Sequence, residues 1–245
     1  MRFLIQEINK KVRHDFSLTL LESIRFQTWL TQTDDIKVKY LDYFETIDPD
    51  IIYPIQWKPM HRNYVPVGSV EFVSEFLGHF HNHIPKPINV PEELFGYVER
   101  TMWNGNENGY RKGYGKLFVK SNDIIKGFKL EIKEDYELPK GNYQFSELID
   151  IESEWRCFVY QNKLVGLENY SGDFSMFPNI EQIKYMIQEY KSAPVAYTLD
   201  VGVHDDRTFV IEAHSMMSVG LYGFSDHKIL PYMFHRAFKE IINEL

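Results

Sequence analysis

The sequence predicts an α+β protein, with a small α/β domain over residues 1–88 and a larger domain over residues 89–245 built mainly from antiparallel strands. Three observations carry this reading. Strand-length apolar runs alternate with helically spaced ones in the first part. From Gly115 onward, short apolar runs follow one another with only turn residues between them. The stretch LDVGVHDDRTFVIEAHS reads as two strands folded back around a tight polar turn.

Each element has its own signal. Arg2–Gln6 reads as a strand, and Ser17–Thr31 as a helix with apolar spacing at Leu20, Leu21, Ile24 and Leu30. Ile36–Leu41 and Ile51–Ile55 have strand composition. Val65–Ser69 leads into a helix over Val70–Leu77, where the Gly68-Ser69 turn suits an anion site and a plain N-cap equally. Pro85, Pro87 and Pro91 punctuate a linker over residues 84–91. A helix from Pro91 to Met102 follows, then a polar loop over Asn104–Gly115. Lys116–Ser121, Phe128–Ile132, Gln144–Ile149, Trp155–Tyr160 and Lys163–Asn169 are strands, the last two joined by a Gln161-Asn162 turn. Ile180–Tyr190 is an amphipathic helix. Thr198–Val203 and Arg207–Ala213 form the hairpin around His204-Asp205-Asp206, and Lys228–Leu245 closes the chain as a helix.

The hairpin carries the chemistry. Glu212 and His214 project to one side of their strand, and Asp200 comes back beside them from the other strand. Such groups repel or desolvate one another unless a cation sits between them. An oxygen-rich set of this kind suits Mg²⁺, with Mn²⁺ as the alternative. Asp205 and Asp206 read instead as solvated turn charge. The HFHNH run (His79–His83) reads as a loop after a helix rather than a metal site.

Composition limits the function classes. Aromatic residues are 16% and charged residues 25% of a 245-residue chain, which describes a folded globular protein. A net charge of −8 argues against general nucleic-acid binding. The single cysteine, Cys157, excludes an internal disulfide and a multi-cysteine zinc site, and its apolar setting makes it a core residue. Neither a signal-peptide core nor a membrane-spanning apolar run is visible, so the expected location is the cytoplasm.

Five fragments stand in a suggestive order: LFVK ending at Lys120, the segment EWRCFVYQNKLVG (Glu154–Gly166), then DVGV, VIEAH and GLYG. Together they resemble the ATP-grasp superfamily. GSVEFV at Gly68–Val73 and the GLYG ending resemble a clade of that superfamily found in phage and bacteria. The spacing of Asp200 and Glu212 is similar to that of the paired acids in ribosomal-protein glutamate ligase. The resemblance implies an ATP-grasp fold, and ATP with Mg²⁺ as cofactors. It assigns the metal to Asp200, Glu212 and His214, and the nucleotide to Lys120, Lys126, Glu147, Leu148, Ile149, Glu154 and Arg156. Lys120 and Arg156 are then also the catalytic cations, Glu147–Ile149 the adenine hinge, and Tyr170, Ser171 and Asp173 the acceptor side.

Two positions depart from the family pattern, which has asparagine where His214 stands and proline where Ser121 stands. The implied activity is ATP-dependent ligation of a carboxylate to an amine or thiol through an acylphosphate. The partners would be a small-molecule, peptide or protein carboxylate and an amine acceptor, with no membrane and with a homodimer left open. A catalytically silent ATP-binding switch is the alternative, and a kinase-like phosphotransferase is a weaker third reading. Physical chemistry narrows the roles. Lys120 in an apolar strand needs a phosphate, an acid or an escape to solvent. Arg156 needs a carboxylate or a phosphate, and Glu154 either pairs with Arg156 or takes ribose hydroxyls. If His214 ligates a metal, activity is expected to respond near its ordinary titration at about 6.5.

Overall fold

The computed structural model describes residues 1–33, 35–43, 62–110, 114–125, 129–132 and 136–243. The strand expected at Ile51–Ile55, and Lys126, lie outside these residues. The chain divides into two compact units, one formed by residues 1–84 with 216–245 and the other by residues 85–215.

The first unit is built on a parallel sheet. β1 (Arg2–Glu7) is its central strand, flanked by β2 (Lys37–Asp42) and β3 (Val65–Val67) and parallel to both. Parallel neighbours require a crossover, which α1 (Asp15–Thr31) supplies between β1 and β2. Phe3, Leu4 and Ile5 are buried in succession, as a strand covered on both faces must be. α2 (Val70–His81) begins at Ser69, whose hydroxyl accepts from Phe72 N at 3.2 Å, so the Gly68-Ser69 turn serves as an N-cap. A Cβ at Gly68 would collide with the Gln6 side chain, whose Oε1 accepts from Ser69 N at 2.5 Å.

α2 runs a turn past its expected end at Leu77 and stops at Asn82, which takes the left-handed conformation of a C-cap. His79 and His81 are therefore helical, and His81 bonds to the Arg62 carbonyl at 2.9 Å. The C-terminal helix (Leu230–Ile241) buries Leu230, Met233, Phe234, Ala237 and Phe238 at helical spacing, and Phe238 meets Phe76 edge-on at 6.3 Å.

In the second unit the helix expected over Pro91–Met102 is absent. Glu92–Tyr97 form a 3₁₀ turn, and β4 (Met102–Asn106) begins where that helix was to end. Gly96 weakens helix propagation, and Glu99 turns the chain with a φ of 54°. β5 (Leu117–Ser121), β6 (Lys129–Ile132) and β7 (Asn142–Glu147) join β4 in an antiparallel sheet of order β4-β7-β5-β6. Trp103, Leu117, Val119, Ile132 and Phe145 form its core.

β8 (Ser153–Tyr160), β9 (Lys163–Gly172), β10 (Ala196–His204) and β11 (Arg207–Ser215) make a second antiparallel sheet of order β11-β10-β8-β9. α3 (Ile180–Glu189) covers one face of this sheet with Ile183, Met186 and Ile187. Both hairpin turns hold two residues at positive φ, Gln161 and Asn162 at 50° and 58°, and Asp205 and Asp206 at 48° and 60°. That geometry matches the right-handed twist of the flanking strands, and it leaves His204 in the strand rather than the turn. Among the described residues no helix is long and apolar enough to cross a membrane.

Candidate active site

Strand alternation sorts the second sheet into two faces. Trp155, Cys157 and Val159 of β8 and Tyr197, Leu199, Val201 and Val203 of β10 enter the apolar core beside α3. Glu154 and Arg156, and Thr198 and Asp200, therefore take the opposite face. Cys157 is wholly buried, and burial pushes its thiol far up, so it is a core residue as its setting suggests.

β11 interrupts the alternation. Asp200 pairs with Glu212, but Val201 pairs with Val210, so Ile211 is an extra residue in a β-bulge. The bulge lets Val210 and Ala213 both enter the core while Glu212 and His214 turn towards Asp200.

Register then sets Arg156, Asp200 and Glu212 side by side across three strands. Arg156 Nε and Nη2 donate to the two oxygens of Asp200 at 2.8 and 2.7 Å, and these side chains keep only 8% and 2% of their surface exposed. Lys120 comes from β5 of the other sheet and donates to Glu212 Oε2 at 2.5 Å. His214 Nε2 lies between the carboxylates, 3.5 Å from Asp200 Oδ2 and 3.5 Å from Glu212 Oε1. The Tyr170 hydroxyl donates to Glu154 Oε2 at 2.7 Å, and the Tyr170 ring lies 5.5 Å from the Arg156 guanidinium carbon.

Of the partners open to Lys120, the fold supplies an acid. Arg156 likewise has a carboxylate, and it is Asp200 rather than Glu154.

Electrostatics follow from these contacts. Burial alone would raise both carboxyls, but His214 and Lys120 hold Glu212 well below its ordinary range, and Arg156 and His214 do the same for Asp200. Burial alone would lower His214, yet its two carboxylate neighbours raise it to about 9. In the metal-free protein, then, His214 does not titrate near 6.5. Asp200, Glu212 and His214 each offer a ligand atom within 4.8 Å of the others. Two carboxylate oxygens and one imidazole nitrogen fit Mn²⁺ well, and the carboxylate majority keeps Mg²⁺ acceptable.

The remaining expected residues are dispersed. Glu147 ends β7, where its carboxylate accepts from Thr101 N at 2.8 Å and falls below its usual range for that reason. Leu148 and Ile149 begin the segment that leaves this sheet for β8, and the Leu148 side chain is 46% exposed. Asp173 folds onto Ser175, accepting from its N and Oγ at 2.8 and 2.7 Å. Ser171 O accepts from Asn169 at 3.1 Å. Glu152, His204 and Asp205 form a second acid–imidazole group at the hairpin tip, more exposed than the first. The histidine run forms no metal-ligand cluster among the described residues.

Sequence reasoning missed three positioning residues. Asn89, placed in the linker, has its carbonyl on Ala213 N at 2.7 Å and its amide on the Ser121 carbonyl at 2.9 Å. Gln144, opposite Lys120 in register, brackets Val90 by accepting from its N at 3.0 Å and donating to its O at 2.9 Å. Arg100 bonds to carbonyls of β11. None has a local sequence signature, because each partner is distant along the chain.

Residues 97–231, more than half of the chain, match the family model described as ATP-grasp domain, R2K clade family 2. The chain belongs to this ATP-grasp family. The matched span takes in Lys120, Arg156, Asp200, Glu212 and His214. The ATP-grasp fold also appears in solved structures. D-cycloserine synthetase DcsG superposes with a TM-score of 0.53 at 12% identity, covering 99% of this chain and 100% of that one. D-alanine–D-alanine ligase from Bacillus anthracis complexed with ATP gives 0.50 at 11% identity, covering 100% and 98%. The ATP-grasp ligase PsnB complexed with minimal precursor gives 0.50 at 10% identity, covering 100% and 99%. At such identities the likeness is one of fold. No curated protein matches the sequence.

Proposed function

We propose that this ATP-grasp protein is an ATP-dependent ligase that joins a carboxylate to an amine or thiol through an acylphosphate. The observation that carries the reading is the gathering of Lys120, Arg156 and His214 around two acids on one sheet face. Phosphoryl transfer asks a protein for positioning and charge neutralisation rather than for a covalent intermediate. In the proposed reaction a substrate carboxylate oxygen attacks the γ-phosphorus, the bond to the β–γ bridging oxygen breaks, and ADP leaves. An amine then attacks the acyl carbon, loses a proton, and the tetrahedral intermediate expels inorganic phosphate.

Lys120 and Arg156 supply fixed positive charge to the transferring oxygens, exchanging part of their hold on Glu212 and Asp200 for phosphate. Asp200, Glu212 and His214 would hold Mg²⁺ or Mn²⁺, which when bound neutralises phosphate charge. Backbone groups of Glu147, Leu148 and Ile149 would read adenine, and Lys126, outside the described residues, would be a further phosphate contact. Glu154 and Tyr170 would face ribose or acceptor. The experiment is ADP release in Mg-ATP across a panel of carboxylates, with hydroxylamine trapping of the acylphosphate as a hydroxamate. Release without hydroxamate, leaving a stable phosphorylated product, would replace the ligase with a phosphotransferase.

One observation favours a second reading, a catalytically silent ATP-binding switch. His214 replaces an amide oxygen with a cation-prone ring between two acids that already have partners. Mg-ATP binding without any ADP release across the panel would select it.

A further inference from the structure

Arg100 stands just ahead of β4, and the hydrogen bonds of its guanidinium go to main-chain carbonyls. Nη1 donates to Val98 O at 2.9 Å and Val210 O at 3.0 Å, and Nη2 donates to Ile211 O at 3.3 Å. The last two belong to the β11 bulge. Glu99, next to it, takes a φ of 54°, a conformation uncommon for glutamate, and its carboxylate is held by Arg207 at 2.9 Å. The chain is thus tied at the point from which Arg100 reaches β11.

The bulge decides which way Glu212 faces. From the turn upward the hairpin pairs His204 with Arg207 and continues regularly to Val201 with Val210. Carried on unbroken, that register would set Ile211 beside Asp200 and send Glu212 to the α3 core with Val210. The extra residue reverses this for Glu212 and His214 together. A bulge also disrupts the ladder locally, and buried carbonyls left without donors are costly. Guanidinium, with five N–H donors in a fixed fork, can hold the carbonyls of two successive residues at once. Burial lowers Arg100 to about 10 while Glu212 opposes the change, so the side chain stays charged at neutral pH.

We infer that Arg100 is a positioning residue that clamps the bulge at Val210 and Ile211 and thereby turns Glu212 and His214 onto the charged face. The functional half of this inference rests on the ATP-dependent reading of the site, and the structural half does not.

The test compares the full-length wild type with Arg100→Met and Arg100→Lys, by peptide-resolved hydrogen exchange and by Mg-ATP affinity from thermal shift. Arg100→Met is expected to exchange about tenfold faster in residues 209–215 while β8 and β10 keep their protection. Its melting temperature should stay within a few degrees of wild type, and its Mg-ATP affinity should fall about tenfold or more, as outer supports of ligating groups commonly show. Arg100→Lys, which can still donate to a carbonyl, should lie between. Wild-type exchange in β11 of Arg100→Met overturns the clamp. Faster exchange with unchanged Mg-ATP affinity overturns its link to the site. A wild type that does not respond to Mg-ATP removes the ligase reading and leaves exchange to decide the clamp. If Arg100→Met does not fold, Arg100→Lys is judged by the same two measures. If neither folds, Arg100 is a general core residue and the inference fails.

Discussion

Asp200 and Lys120 each have an ionic partner within the protein, Arg156 for the first and Glu212 for the second. Asp200 is the buried acceptor of a two-pronged Arg156 contact, so it answers to the fold as well as to any metal. Asp200→Asn leaves Arg156 buried beside an amide. We expect a loss on the order of 3–5 kcal/mol, as for other broken buried pairs, measured by urea denaturation. Unchanged stability would show that Arg156 finds solvent in the mutant. Lys120 and Glu212 keep 13% and 17% of their side-chain surface exposed, so the cost there is smaller. Lys120→Met should lose about 1–3 kcal/mol by stranding a carboxylate. Lys120→Met combined with Glu212→Gln should recover part of that loss, because the stranded charge is gone. A double mutant that merely sums the two singles would mean the pair does not interact. The sequence shows that these charges lie in apolar strands and so need partners. It does not show which partners, because Lys120 and Glu212 meet across two sheets and are 92 residues apart in the chain.

The elements were legible where their signals are local. The strands from Lys116 onward, the helix over residues 180–190 and both hairpins follow from period and turn chemistry, and the structure shifts their ends by a few residues. The helix expected over Pro91–Met102 does not form because Pro91 opens a 3₁₀ turn over Glu92–Tyr97 instead, and packing of Leu94 and Val98 into the core with β10 and β11 residues decides that outcome. The bulge in β11 was invisible for a different reason: strict alternation brings Glu212 and His214 to one side, but only an inserted residue makes that side Asp200's. Gly202 shows how tightly β10 is packed on the charged face. A Cβ there would lie 2.6 Å from the Phe209 ring and 3.2 Å from Ile151 Cγ2. Gly202→Ala should therefore cost about 1–3 kcal/mol by forcing Phe209 off its rotamer. Phe209→Leu in the same background should relieve part of the loss. Wild-type stability in Gly202→Ala would mean that β10 yields more easily than its burial implies.

At the scale of the whole chain, a protein of net charge −8 gathers three cationic side chains, Lys120, Arg156 and His214, around Asp200 and Glu212, and such a local cluster is where an acidic protein can meet phosphate. The charge balance of this cluster depends on pH through His214, which lies between Asp200 and Glu212; Lys120 holds Glu212, and Arg156 and Tyr170 reach Asp200. In the metal-free protein His214 is raised to about 9 from an unfolded value of about 6.5. A raised histidine contributes stability that is fully present below the unfolded value and is lost as pH rises through the folded one. Asp200 and Glu212 are depressed, so their contributions are present above the ordinary carboxylate range and vanish as acid protonates them. The metal-free chain should thus be most stable between these limits.

Comparison with His214→Asn isolates the alkaline arm. Asparagine cannot carry the proton, so wild type should melt above the mutant at pH 6, and the gap should narrow as pH rises from about 6.5 to beyond 9. Melting curves recorded in chelator at several pH values measure it. A gap that stays constant across that range would mean that His214 is neutral between the two acids and holds its place by packing alone.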